Sequence, residues 1–438
     1  MSFILSWTML LIVNLFGFRL LSRRIGDSFF LYYLIFGMVY IFRPAAIFLG
    51  LDVPFPEKFF FSGVGDAQIY INILTILWSI FFIIGSLGRK GVLPPQLFPK
   101  IKSIYNPRLY VMLLFPVMAI YLGIIAYLIS IYGSNVQELT RATRIDGALA
   151  GFSFIQHIPT TVSYLIMTLV FYMSHTKYKD RKNINLIIIP IAVAISVSSL
   201  IFGGRSSFIY FVVYSVLGYR IFISKISTVK IVSLGLVVVF LIVQLKEVRN
   251  SLWYSEYSWY QREQAQDDGV VRTISDAANL DSYDKFILLL ERKPPTKYGA
   301  GFVDSVIAIV PRSVWPDKPD DLYMNYEFHN LFEPAVTGWP LKSVGEWYWN
   351  FAIYGMILGG LVSGLIFRSI QFRCRDFTTN PFSFLFLFIM SVEVFQVGYN
   401  AVAPIIYIYK IVPIYLFVMM VKALHSWGLR NRVARANM

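Results

Sequence analysis

Residues 67–90 read AQIYINILTILWSIFFIIGSLGRK, 22 residues without a formal charge that stop at Arg89 and Lys90. A helix of that length, rising about 1.5 Å per residue, crosses the roughly 30 Å hydrocarbon core of a bilayer. The two cations mark a water-facing end. Similar runs recur on both sides. Spans are predicted at 2–21, 28–50, 67–88, 109–132, 154–175, 184–202, 206–224, 229–245, 346–367, 381–399 and 403–421. The expectation is an all-α, polytopic membrane protein with about eleven transmembrane helices.

Composition agrees. Hydrophobic residues make up 57% of the 438 and charged residues 15%, whereas soluble domains carry about 25% charge. Mean hydropathy is +0.61. One cysteine, Cys374, excludes a disulfide framework and a cysteine metal site, and the four histidines form no ligand pair. The first apolar run has no small-residue cleavage site, and its arginines follow it, so it reads as a span rather than a signal peptide.

Positive charge orients the chain. Every second connection is basic, from Arg23–Arg24 to the tail with Lys422, Arg430, Arg432 and Arg435. With Arg19, these segments hold 22 of the 39 basic residues and only three acids, Asp27, Asp180 and Asp376. They carry +19 of a chain total of +14, which leaves −5 elsewhere. By the positive-inside rule they face the cytoplasm, which predicts the N-terminus outside and the C-terminus inside. The net charge thus reports topology, not a surface for nucleic acid.

Residues 246–345 form one large loop on the outer side, rich in Trp, Tyr and Pro, with 16 acids if Glu346 is counted. The expected organisation is a bundle of about eight spans (1–245), this loop (246–345), and three further spans with a basic tail (346–438). Within the loop, 283–290 and 302–310 are apolar enough to lie on or dip into the membrane.

Charged residues at membrane spans are costly and therefore informative. Gly203-Gly204-Arg205-Ser206-Ser207 combines a tight turn with a guanidinium able to fork onto phosphate; a snorkelling arginine explains it equally. Pro311-Arg312-Ser313-Val314-Trp315-Pro316-Asp317-Lys318-Pro319 is a stiff segment with two cations near the interface. At the mouth of span nine, Ser343, Glu346 and Asn350 share a helix face. Partial loss of water there suits Glu346 to general-base work. A capping box of Ser343 and Glu346 is the structural alternative, and it leaves Asn350 unexplained. Lys246 and Arg249 at the end of span eight, and Arg43 in span two, either line an anionic pocket or anchor the interface. His329 is a lone loop histidine. Glu393 and Lys410, at similar depth in the last hairpin, are expected to neutralise each other.

Cations, a carboxylate and aromatics on one face fit a lipid diphosphate, with its tail in the bilayer and its sugars on Trp and Tyr. No P-loop is present to use ATP. In this scheme guanidinium groups neutralise the leaving group and neither metal nor cofactor is called for. The order of Gly-Gly-Arg-Ser-Ser at 203–207, Pro-Arg-x-x-Trp-Pro-x-Lys-Pro at 311–319 and Ser-x-Gly-Glu-x-Tyr-x-Asn-Phe at 343–351, with Gly355 following, resembles the Wzy-type O-antigen polymerases. The family pattern continues Asn-Phe-Gly, whereas Ala352 stands here. The resemblance implies a glycosyltransferase-C-like helical fold in the bacterial inner membrane. It also implies en bloc transfer of a glycan from undecaprenyl diphosphate onto a new lipid-linked repeat unit, with a chain-length regulator as partner. An O-antigen ligase using the same donor and a lipid-linked oligosaccharide flippase are the rival readings.

Overall fold

The computed structural model describes residues 2–52, 64–88, 91–97, 107–133, 157–177, 181–198, 205–224, 227, 282–307, 309–310, 314–315, 317, 324, 327–328, 331 and 341–436. Every regular element among them is helical. The principal helices are α1 (Phe3–Leu21), α2 (Ser28–Phe48, with a π turn at Met38–Phe42), α3 (Val64–Ser86) and α4 (Pro107–Tyr132). Next come α5 (Ile158–His175), α6 (Arg181–Ser198), α7 (Arg205–Phe222), α8 (Ser282–Arg292) and α9 (Ala300–Ile307). The chain ends with α10 (Lys342–Arg373), α11 (Pro381–Val394) and α12 (Val412–Ala436).

Six helical stretches among the described residues are long and apolar enough to cross a membrane: α1, α2, α3, Leu109–Tyr132, α10 and Ala403–Leu424. Asn185–Ser198, Phe208–Phe222 and Pro381–Val394 are shorter apolar helices. The protein is thus a polytopic helical membrane protein, with six such spans where the sequence predicts eleven. The expected span at 229–245 lies outside the described residues. α5 is not among the six for a physical reason. Its residues Pro159–Phe171 are all buried, so Thr160, Thr161, Ser163 and Thr168 face protein, not lipid.

The chain forms two compact units. The first comprises Met1–Pro95, Val239–Arg373 and Leu387–Ile406; the second comprises Gln96–Val238, Cys374–Phe386 and Tyr407–Met438. In the first, α1, α3 and α10 run parallel and α2 runs against them. Asn72 Nδ2 donates to Ser6 Oγ (3.0 Å) and Asn14 Nδ2 to Ser79 Oγ (3.3 Å), so α1 and α3 ascend together. Trp7 Nε1 donates to the Ile41 carbonyl at 2.9 Å, which pairs the start of α1 with the end of α2. Tyr32 stacks on Phe82 at 3.7 Å and accepts a hydrogen bond from Trp78 Nε1 at 3.2 Å.

The α3–α10 contact depends on small residues. A Cβ on Gly360 would lie 2.5 Å from the Trp78 carbonyl oxygen, and one on Gly364 would overlap the Phe82 carbonyl. Without side chains at this Gly-x-x-x-Gly pair the backbones pack directly, the means by which helices associate in lipid. Gly364→Val should therefore lower the unfolding temperature in detergent and cost about 1–3 kcal/mol, the usual penalty for overpacking. A variant melting like the wild type would show that the helices can separate freely.

This arrangement sorts the charges. At one end Asp27 caps α2, accepting from Phe30 N (2.7 Å), Arg23 N (2.8 Å) and Arg24 N (3.0 Å). At that end Ser28 Oγ donates to Gln371 Oε1 (3.0 Å), and Arg368 Nε donates to the Gly88 carbonyl at 2.7 Å. The basic clusters of the first and ninth predicted spans thus share an end. The opposite end holds the start of α1, the end of α2, the start of α3, α8, and the first turns of α10.

The second unit is built around α5. Ser163 Oγ donates to the Ala192 carbonyl of α6 (3.0 Å), Thr168 Oγ1 and the Tyr214 hydroxyl of α7 share a hydrogen bond (2.7 Å), and Tyr110 of α4 donates to the Leu165 carbonyl (3.0 Å). Glu393 is a buried member of the first unit and Lys410 a buried member of the second.

Candidate functional site

The first turns of α10 carry the predicted residues Ser343, Glu346 and Asn350, all buried, with Glu346 only 2% exposed. Their partners differ from a capping box. The helix already begins at Lys342, so Ser343 lies inside it. Ser343 Oγ donates to the Gly398 carbonyl (2.9 Å), and Glu346 Oε2 accepts from the Ala401 amide at 2.7 Å. Lys342 Nζ donates to Gln396 Oε1, and Trp347 Nε1 donates to the Tyr399 carbonyl at 2.9 Å. Four side chains on two turns therefore grip the irregular segment 396–401, and three of them satisfy backbone groups that have no ladder of their own.

Asn350 sits one turn deeper. Its Nδ2 donates to the Glu346 carbonyl (2.9 Å) and reaches the Met324 sulfur (3.4 Å), while Oδ1 has no partner among the described residues. The Tyr40 hydroxyl is within electrostatic reach of Glu346 and likewise lacks a partner, as does Tyr283, whose ring centroid lies 6.2 Å from that of Tyr40. Buried polar atoms left open are uncommon and mark places where water or a ligand supplies the missing bond.

Arg43 follows the π turn of α2. Its guanidinium is 1% exposed and forks onto Asp284 of α8, with Nε to Oδ1 at 3.0 Å and Nη2 to Oδ2 at 2.6 Å. Nη1 pairs with Asp52. The guanidinium is buried and engaged by two carboxylates. It ties α8 to α2. The apolar stretch 283–290 is accordingly enclosed by protein, every residue of Ser282–Leu290 being buried. In α9, by contrast, Val303, Val306 and Ile307 are exposed.

Arg205 is the first residue of α7 in the second unit. Arg312, Lys318, Arg249, Lys246 and His329 lie outside the described residues.

Sequence reading missed a cavity of about 640 Å³ within the first unit. Tyr70, Tyr348, Trp349, Lys293, Thr296 and Ala352 line it. Pro294 and Pro295 stiffen one wall, which is joined to α10 by Trp349 Nε1 donating to the Pro295 carbonyl (3.1 Å) and Lys297 N donating to the Trp349 carbonyl (3.1 Å). Lys297 also lies over the Trp349 ring at 5.4 Å and pairs with Glu327. The sequence signal was available in Lys293-Pro294-Pro295-Thr296-Lys297 directly after an apolar helix, but nothing local showed which aromatics would meet it.

Ala352 interrupts α10 with φ 51° and ψ −136°, a backbone that glycine adopts far more readily. It is the position at which the resembled pattern carries glycine. Holding alanine there costs on the order of 1–3 kcal/mol. Ala352→Gly should raise the unfolding temperature in detergent, and Ala352→Val should lower it. A lower melting temperature for the glycine variant would remove the strain assignment.

Comparison with known proteins now adds a relation. Over 139 residues the chain is 24% identical to the O-antigen polymerase of Salmonella typhimurium, and to that of Salmonella typhi to the same degree. The match is weak but real. It covers 30% of this chain and 34% of each relative, so the chain spans about a third of the length of the curated relatives it matches. No family model and no solved structure matches the chain.

Proposed function

We propose that the protein is a glycan polymerase of the bacterial inner membrane, acting in the synthesis of O-antigen or a related surface polysaccharide. The similarity to two O-antigen polymerases carries this reading. The substrate would be a glycan on undecaprenyl diphosphate, handled at the periplasmic face with its lipid in the bilayer. The acceptor hydroxyl of a lipid-linked repeat unit attacks the anomeric carbon of the donor glycan. The new glycosidic bond forms as the bond to the diphosphate breaks.

Glu346 takes the hydroxyl proton, and the electron pair leaves with undecaprenyl diphosphate. Arg205, Arg312 and Lys318 neutralise that leaving group, with Arg249 and Lys246 assisting. The Ala401 amide holds the Glu346 carboxylate in one orientation, and Ser343 and Asn350 fix the helix mouth around it. His329 lies in the same loop as Arg312 and is assigned to substrate contact. A chain-length regulator would set when elongation stops.

Purified protein in liposomes with lipid-linked repeat units should build ladders of two and more repeats. Arg205→Ala should abolish long chains while the protein remains inserted and abundant. In cells, loss of a polymerase leaves the lipid core carrying a single repeat unit, whereas loss of a ligase leaves bare core. Bare core on deletion would sink the reading.

A further inference from the structure

The cavity beside the site has a chemistry of its own. Tyr70 is 43% exposed and Tyr348 half-buried, so both offer ring surface to an occupant. Thr296 adds a hydroxyl and exposed Lys293 a single cation at the wall. The volume, about 640 Å³, lies within the roughly 300–1,000 Å³ usual for small-molecule sites. A phosphate site would converge several cations, and among the described residues one lysine lines this cavity. An acyl chain would call for apolar walls throughout, yet a lysine, a threonine and two tyrosine hydroxyls interrupt them. The lining is amphipathic, with flat apolar faces and polar edges. Pyranose rings have that character, with C–H faces and hydroxyl rims.

Two features make the cavity a built one. Lys293 (φ 46°) and Ala352 (φ 51°), both non-glycine residues with left-handed φ, line the same space. Strained backbone persists only where its surroundings over-determine it, and it gathers at ligand sites. The Trp349–Pro295 and Lys297–Trp349 hydrogen bonds then hold the two walls at a fixed separation.

We propose that this cavity binds a short oligosaccharide, the glycan part of the lipid-linked substrate, with a sugar ring stacked on Tyr348 and Tyr70 and its hydroxyls met by Thr296 and Lys293. The choice of a substrate glycan rests on the polymerase reading. Tyr348 and Trp349 belong to the same first turns of α10 as Glu346, though Tyr348, two residues on, points to another side of the helix.

The test is calorimetric titration of full-length protein in lipid nanodiscs with free repeat-unit oligosaccharide released from the host's own surface polysaccharide. Inorganic pyrophosphate serves as a parallel probe. Tyr348→Ala should weaken sugar binding about tenfold, the loss expected of a removed stacking face. Tyr348→Phe keeps the ring and should weaken it by less than about threefold. Thr296→Trp, at a half-buried loop position, should fill the cavity and block the sugar even if Tyr348→Ala unfolds the protein. Pyrophosphate binding that Lys293→Ala removes, with no sugar binding, would overturn the proposal. So would sugar binding that none of these variants changes, or none at all in the wild type. Sugar binding that the variants abolish, in a protein that makes no ladder in liposomes, would leave the cavity assignment standing and remove the polymerase reading instead.

Discussion

Glu346→Gln should slow chain extension by about 10²–10⁴-fold, the contribution usual for a positioned general base, with little effect on the fold. The separation is possible because the side chain does two things. Oε2 accepts the Ala401 amide, and a glutamine carbonyl can still do so. Only the capacity to take a proton is lost. Glu346→Ala removes both functions and leaves the Ala401 amide without its acceptor in a buried place, a cost of about 1–3 kcal/mol. The expected pattern is therefore a shortened glycan ladder with normal melting for glutamine, and a shortened ladder with lowered melting for alanine. A glutamine variant that extends chains at the wild-type rate would reduce Glu346 to a tether for segment 396–401 and place the base elsewhere.

Arg43→Ala should produce the largest loss of stability, about 3–5 kcal/mol, because it removes the ion-pair partner that two buried carboxylates share. Asp284 and Asp52 both pair with this guanidinium, and all three residues lie within the protein. Without it two anions face each other in a poorly solvated place. The protein should melt far earlier in detergent and accumulate to lower levels. The triple variant Arg43→Met, Asp52→Asn, Asp284→Asn removes all three charges and should recover much of the loss, since an ion cluster replaced by neutral groups of similar volume is often no less stable. A single variant as stable as the wild type would show that the cluster does not hold α8 to α2.

These predictions differ in how far the sequence foresaw them. Glu346 was legible because a carboxylate at the mouth of an apolar run is expensive and stands out. Its partners were not. Ser343 and Glu346 have the spacing of a capping box, and local rules alone favour that outcome. The helix instead starts one residue earlier, and both side chains turn to a segment more than fifty residues away. Arg43 was noticed for the same reason as Glu346, yet its partners were not legible, because Asp284 lies 241 residues along the chain. Tyr348 and Tyr70 drew no attention, since tyrosine at a membrane interface is ordinary. Only their convergence with Lys293 and Thr296 gives them meaning.

The sequence by itself determined the class of the protein. Uncharged runs long enough to cross a bilayer, closed by cations, leave few solutions other than a helical membrane protein, because in lipid each backbone group must be paired within its own helix. It also marked the ends of the helices and the residues too costly to be incidental. Tertiary structure decided what those residues touch. Hydropathy is a property of single segments, so it could not show that α5 buries its hydroxyls inside a unit, that α3 and α10 pack through Gly360 and Gly364, or that a strained Ala352 opens α10 beside a cavity. Those outcomes depend on contacts between parts of the chain tens to hundreds of residues apart, and no local pattern encodes them.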